Sequence, residues 1–140
     1  MSWSRSKPAN GEFPNYLHKS LDDLEGPWGE PTYDTHIVRS AHALHKKPLI
    51  NLSDEELRLA LSQKIGFPWV LSLTLVRLRE DPLRSGMMYE GDVLANALRI
   101  PKEVWGSQLS ELRQIADTVV PTLDGDEYDT LVGAYLEFIA

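Results

Sequence analysis

Histidines are the side chains of this sequence that most suggest metal or proton-transfer chemistry, and there are four of them. His42 and His45 are three residues apart, a spacing that can place two imidazoles near one metal ion, and His36 precedes them on the same predicted helix. A zinc site needs a third protein ligand, and neither an HExxH motif nor a Glu-x-x-His partner follows. A metal hydrolase that uses these three histidines is therefore one hypothesis, and ordinary core or surface histidines are the simpler interpretation.

Other catalytic motifs are absent from the sequence. It contains no cysteine, which excludes thiolate nucleophiles, disulfides and thiolate metal sites. It also has no Gly-x-Ser-x-Gly elbow, no Gly-x-Gly-x-x-Gly loop and no P-loop. The segment Asp124-Gly125-Asp126 does not fit an EF-hand, because its glycine comes too early and the remaining ligand positions are missing. We therefore expect no enzymatic activity, no cofactor and no bound metal.

Negative charge is the strongest property of the chain as a whole. The formal net charge is −7, and residues 114–140 carry six acids without one lysine or arginine. Such a chain repels phosphate backbones, so direct binding of nucleic acid is not expected, whereas a basic protein partner would be attracted. The simpler interpretation is that these charges only keep the protein soluble.

Helix start signals predict the elements that position these side chains. Ser20 can cap a short helical turn, with Asp22 and Asp23 near the positive end of its dipole. Ser53 and Glu56 form a capping box in front of the next apolar stretch. Each signal places polar residues at a helix end and apolar residues on the face that follows.

Apolar spacing predicts the remaining helices. One begins at Asp34 or Thr35 and ends near Lys46, with Ile37, Ala41 and Leu44 as its apolar stripe. Another is predicted to be capped by Ser107. The last helix is predicted to turn one face inward, formed by Tyr128, Leu131, Val132, Tyr135, Leu136 and Ile139.

Residues 68–80 allow two interpretations. The alternation of leucine with serine and threonine over residues 71–75 is typical of a strand. The length of the segment and its flanking prolines favour a helix that is apolar almost all round and therefore central.

The predicted fold is all-α: a compact single-domain globule of about seven or eight short helices. An extended or flexible arm is predicted for residues 1–16, followed by one helical domain over 17–140. No apolar run approaches the roughly 20 residues needed to cross a bilayer. We therefore expect a soluble cytoplasmic protein without membrane contact.

Several separated motifs resemble the helical immunity proteins of bacterial contact-dependent growth inhibition (CDI) systems. The resemblance covers roughly residues 17–105. Its main motifs are Lys19-Ser20-Leu21, Leu24-Glu25-Gly26, Trp28-Gly29-Glu30-Pro31, Lys47-Pro48-Leu49 and Tyr89-x-Gly91-Asp92. The chain departs from the family pattern at Ser62, at the turn over residues 84–88 and at Glu90.

This resemblance implies a cytoplasmic protein that neutralises the C-terminal toxin domain of a cognate exported effector. Toxins paired with immunity proteins of this kind resemble ribonucleases, so the implied partner is a basic nuclease domain, bound one-to-one. The family has no catalytic residues to carry over. An alternative is a helical adaptor or regulator that binds a cellular protein unrelated to any toxin.

Carboxylates are the candidate contacts under this hypothesis, since they can mimic phosphate in a basic active site and steer association. The candidate toxin-binding residues are Asp22, Asp23, Glu25, Glu30, Asp34, Asp124, Asp126, Glu127 and Asp129. Trp28 is predicted to fold back on the core and fix its loop, with an interface anchor as the alternative.

Overall fold

Every regular element in the computed structural model, which describes residues 15–140, is a helix. The predicted all-α fold is confirmed. The α-helices are α1 (Leu21–Glu25), α2 (His36–His45), α3 (Asp54–Gln63), α4 (Trp69–Glu80), α5 (Asp92–Arg99), α6 (Lys102–Trp105), α7 (Leu109–Val119) and α8 (Asp129–Ile139). Short 3-10 turns join several of them.

The predicted N-terminal arm lies largely outside the described residues. Its last two residues, Asn15 and Tyr16, belong to a 3-10 turn over Asn15–His18. The ring of Tyr16 meets that of Trp69 edge-on, with centroids 5.1 Å apart. The turn therefore crosses the predicted boundary at residue 16 and packs against the first residue of α4.

The core is centred on α4 and α5. Residues 70–76 of α4 are all buried, and α5 packs against α3, α4 and α8. Residues 71–75 lie inside α4, so the strand interpretation is wrong. Because neighbours surround α4 on all sides, its polar positions need local partners; Thr74, for example, donates to the carbonyl of Val70 at 2.8 Å.

The helix starts follow the predicted capping chemistry. Ser53 and Glu56 form the predicted capping box, with both hydrogen bonds present. Ser20 also caps its helix, and Asp23 completes a second capping box by accepting from the Ser20 amide at 3.1 Å. Thr35 caps α2. These side chains satisfy amides that a helix start otherwise leaves without partners.

Three details of the predicted helices are wrong. Ile37 is exposed, because α2 turns Ala41, Leu44 and His45 inward instead. Ser107 caps nothing, since it lies within a 3-10 turn over Gly106–Gln108 that leads into α7.

The third correction concerns α8. Its buried residues are Leu131, Ala134 and Phe138, so the buried stripe is shifted around the helix from the predicted face and leaves Leu136 and Ile139 exposed. None of the helices within residues 15–140 is long and apolar enough to span a membrane.

Candidate partner-binding surfaces

The nine candidate carboxylates lie in two separate parts of the chain. We name Asp22, Asp23, Glu25, Glu30 and Asp34 the first acidic segment, and Asp124, Asp126, Glu127 and Asp129 the second acidic segment. The first runs from α1 to the start of α2, and the second leads into α8. The two differ in how their charges are used.

Two carboxylates of the first acidic segment converge on one buried histidine. His45 is completely buried, and its Nδ1 makes a very short hydrogen bond to Asp22. Its Nε2 lies 3.5 Å from Glu25 Oε1, within ion-pair distance although no hydrogen bond forms there. Asp22 and Glu25 therefore approach the imidazole of His45 at its two different nitrogens. This arrangement fastens α1 to α2.

Trp28 covers the same histidine. Its ring stacks on His45 with centroids 4.0 Å apart and meets His42 edge-on at 5.0 Å. His42 also approaches the carbonyl oxygen of Gly29 at 3.3 Å. Trp28 therefore packs on α2, but it does not join the hydrophobic core as predicted, and 44% of its surface remains exposed. The tryptophan thus closes the outer side of the His45 site.

The three histidines of the metal hypothesis lie in different surroundings. Within residues 15–140, no three histidine or carboxylate side chains are grouped so that they could hold a metal ion. His36 is exposed at the first position of α2, whereas His45 is buried between Asp22 and Trp28. His36 therefore faces solvent, whereas His45 is part of the contact between α1 and α2.

The other acids of the first acidic segment are exposed, but two have local partners. Asp23 belongs to the Ser20 capping box, and Asp34 pairs with Arg39 at 2.5 Å. Glu30 is exposed and has neither a hydrogen bond nor an ion pair within residues 15–140. Four of the five candidate acids in this segment thus have a partner inside the protein.

The second acidic segment is exposed and carries no ion pair within the described residues. Asp124 accepts from the amides of Asp126 and Glu127 at 2.8 and 3.1 Å, and these backbone hydrogen bonds lower the pKa of Asp124. Asp129 accepts only a long bond of 3.4 Å from Thr130. The carboxylates of Asp126 and Glu127 remain available to a partner.

A pocket of about 330 Å³ separates the second acidic segment from the loop before α5. Tyr89 and Glu90 line one side, and Glu127, Tyr128 and Asp129 line the other. The Tyr128 hydroxyl donates to Glu90 Oε1 at 3.0 Å across this pocket, and that hydrogen bond raises the pKa of Tyr128. Aromatic rings beside carboxylates suit a lysine or arginine side chain.

Residues 85–90 form the loop beside this pocket, which we name the methionine loop. Met87 and Met88 are 74% and 68% exposed. Met87 has a φ of 84°, in the left-handed region that a non-glycine residue adopts at a cost. The loop therefore holds an apolar side chain in water on a strained backbone.

Buried Asp92 fixes the methionine loop from below. Its carboxylate accepts the amides of Gly86, Met88 and Tyr89 at 2.5, 2.9 and 3.3 Å. Arg58 on α3 donates to the Gly86 carbonyl at 2.8 Å and lies 3.9 Å from Asp92. A fully buried carboxylate needs such donors to offset its lost hydration. The loop is consequently tied to both α3 and α5.

The structural contacts of Asp92, Arg58 and His45 were not predicted from the sequence. The Tyr89-x-Gly91-Asp92 motif marked the turn, and Asp92 as an acceptor at a helix start was a readable signal. Arg58 and His45 act over 28 and 23 residues of chain, and no local pattern reports contacts of that separation.

A comparison with protein families finds one match: a family model described as CDI immunity proteins covers residues 23–115, well over half of the chain. The matched region contains the methionine loop and most of the first acidic segment. The second acidic segment and α8 lie outside it. Comparisons with curated proteins and with solved structures find no match.

Proposed function

The chain belongs to the family of CDI immunity proteins, and we propose that it binds and neutralises the C-terminal toxin domain of its cognate CDI effector. The family match over residues 23–115 is the observation that carries this proposal. In this role the protein acts by occupying a surface of the toxin in the cytoplasm, and it catalyses no reaction itself.

The proposed partner is a basic ribonuclease domain, bound one-to-one. A nuclease that holds RNA must present lysine, arginine or histidine to phosphate, and this protein has a net charge of −7. Opposite charges speed association, and the exact placement of each charge selects one toxin over another. The unpaired carboxylates of the second acidic segment support this proposal because they can meet basic groups without first breaking internal ion pairs.

The test needs the C-terminal domain of the effector encoded directly before this protein. That domain is incubated with RNA and, in parallel, with DNA, while the immunity protein is titrated from none to a twofold excess. We expect RNA cleavage to stop when the two proteins are equimolar, and a single complex to appear by light scattering.

The outcomes separate the parts of the proposal. Cleavage of DNA but not RNA, still blocked at equimolar protein, would remove the ribonuclease assignment and leave neutralisation standing. Full toxin activity in excess immunity protein, with no detectable complex, would refute the proposal and favour an adaptor with another partner.

A further inference from the structure

We propose that the methionine loop is the apolar anchor of the toxin interface, with the carboxylates around its neighbouring pocket receiving basic side chains of the toxin. This inference rests on the proposed function and specifies the surface that performs it. The occupant is the cognate basic toxin domain, which must offer an apolar recess flanked by lysine or arginine.

Exposure is the first argument. Met87 and Met88 are the two methionines of residues 15–140, and each leaves about two thirds or more of its surface in water. Adjacent apolar side chains at a loop tip contribute little to the fold, and contiguous exposed apolar surface marks interaction sites. Methionine also adapts its shape to an irregular recess better than branched side chains do.

Rigidity is the second argument. Three amides of the loop are held by Asp92, and Arg58 holds the Gly86 carbonyl. At Gly86 a Cβ atom would lie 2.7 Å from Arg58 Cβ and 2.8 Å from the Asp54 carbonyl oxygen, so the loop lies directly on α3. A loop ordered before binding loses less conformational entropy in the complex. The protein thus presents Met87 and Met88 in a fixed arrangement.

Charge is the third argument, because it says which partner fits. Glu90, Glu127 and Asp129 line the pocket beside the methionine loop, and no lysine, arginine or histidine among residues 15–140 lines it. The carboxylates of Glu127 and Asp129 make no ion pair within residues 15–140. An apolar tip with an acidic border complements an apolar recess with a basic border, as in interfaces where charged rims surround a desolvated centre.

A second exposed apolar pair provides the rival surface. Tyr33 and Ile37, before and within α2, are 71% and 52% exposed. Their nearest acid in sequence, Asp34, is already paired with Arg39 at 2.5 Å. That surface resembles the methionine loop in exposure but lacks its buried clamp, and the pocket beside Ile37 has mixed charge, with Lys47 and Arg58 next to Glu55 and Glu56.

The experiment compares these two surfaces as matched double variants. Met87→Asn with Met88→Ser removes both thioethers, and asparagine tolerates the left-handed backbone at residue 87. Tyr33→Ser with Ile37→Ser is the control. Affinity for the C-terminal domain of the effector encoded directly upstream is measured by calorimetry at fixed salt, after unfolding midpoints confirm that both variants fold.

We expect the methionine variant to bind roughly thirtyfold more weakly, the loss typical of truncating two anchor side chains, and the control to change by less than about threefold. A third variant, Glu127→Gln with Asp129→Asn, should reduce the salt dependence of association. Wild-type binding with an unaffected methionine variant, or equal losses in both double variants, would overturn this inference and leave the proposed function intact. Absence of wild-type binding would instead refute the proposed function.

Discussion

The two acidic segments are both rich in carboxylates, but those carboxylates have different structural roles. In the first, Asp22 and Glu25 turn toward a buried histidine, and Asp23 closes a capping box. In the second, Asp126 and Glu127 extend into solvent without an ion pair in the described part of the chain. One segment uses its charges to fasten helices together, and the other keeps them free.

A high density of charged residues therefore does not by itself identify a binding surface. A carboxylate that already satisfies a histidine or a backbone amide must give up that partner before it can bind a toxin, which costs free energy. A solvated carboxylate loses only water. Mutations that separate stability from binding therefore discriminate between the two segments.

His45→Ala tests the first acidic segment with the largest expected effect. The change leaves Asp22 and Glu25 facing each other without the imidazole and removes the ring beneath Trp28. We expect the free energy of unfolding to fall by about 3 kcal/mol, because a fully buried ring is replaced by a cavity and its hydrogen bond to Asp22 is lost. Urea unfolding at pH 7 measures it.

His42→Ala is the matched control, because His42 lies on the same helix and also meets Trp28 but is only partly buried. Its expected cost is about 1 kcal/mol or less. Equal losses in the two variants would mean that the contacts of His45 with Asp22 and Glu25 add nothing.

Charge neutralisation compares the two segments directly. Replacing Asp22 by Asn, Asp23 by Asn and Glu25 by Gln should lower the free energy of unfolding by about 2 kcal/mol, since hydrogen bonds to charged groups weaken. Replacing Asp126 by Asn, Glu127 by Gln and Asp129 by Asn should change it by less than about 0.5 kcal/mol, because those groups are solvated. Guanidinium is unsuitable here because it screens charge, so urea titrations are used. The reverse order of effects would contradict the assigned roles.

Met87→Gly tests whether the methionine loop is kept at the expense of stability. Glycine adopts a positive φ without the steric cost that Met87 bears at 84°, and little packing is lost from an exposed side chain. We expect a gain of about 1 kcal/mol, or a rise of roughly 4 °C in Tm. Met88→Gly, at a residue without positive φ, should show no gain, and a gain there of similar size would point to a general loop effect.

Glu56 offers the smallest and most specific test of a paired carboxylate. Burial alone would raise the pKa of Glu56, but hydrogen bonds from Ser53 and Lys47 outweigh it and lower the pKa below 4.5. A lowered folded pKa stabilises the protein above the unfolded value and loses that contribution as the pH falls through the folded value.

Glu56→Gln should therefore cost about 0.5 kcal/mol at pH 7, and its difference from wild type should shrink in acid. Urea unfolding from pH 7 to strongly acidic pH measures this. Glu55→Gln is the control and should cost less than Glu56→Gln at pH 7, because Glu55 is exposed and receives no hydrogen bond within residues 15–140.

Local signals predicted most of the fold. The caps at Ser20, Ser53 and Thr35 could be predicted because each side chain accepts from an amide only three residues away. The central position of α4 followed from its apolar residues on every face. Ile37 and Leu136 were misplaced because periodicity identifies an apolar face without saying how wide a strip the neighbouring helices cover.

The candidate surfaces were less predictable, since they depend on contacts between distant residues. Nothing near His45 in sequence indicates that its imidazole is hydrogen-bonded to Asp22, which lies 23 residues earlier. Similarly, Asp92 holds the methionine loop by accepting three of its amides, and in this loop Met87 and Met88 are exposed. From residue type alone, methionines are expected in the core. The acidic residues remain predicted contacts, and only the structure distinguishes the carboxylates that have internal partners from those that have none within residues 15–140.

Gly91 limits how the methionine loop could be transferred to a related protein. It has a φ of 88°, and a Cβ at this position would lie 2.8 Å from Leu131 Cδ2 on α8. The end of the methionine loop therefore packs closely against the start of α8, although α8 lies outside the family match. A chimaera that grafts this loop onto a homologous scaffold must carry the first turn of α8 with it, because the two form one transplantable unit.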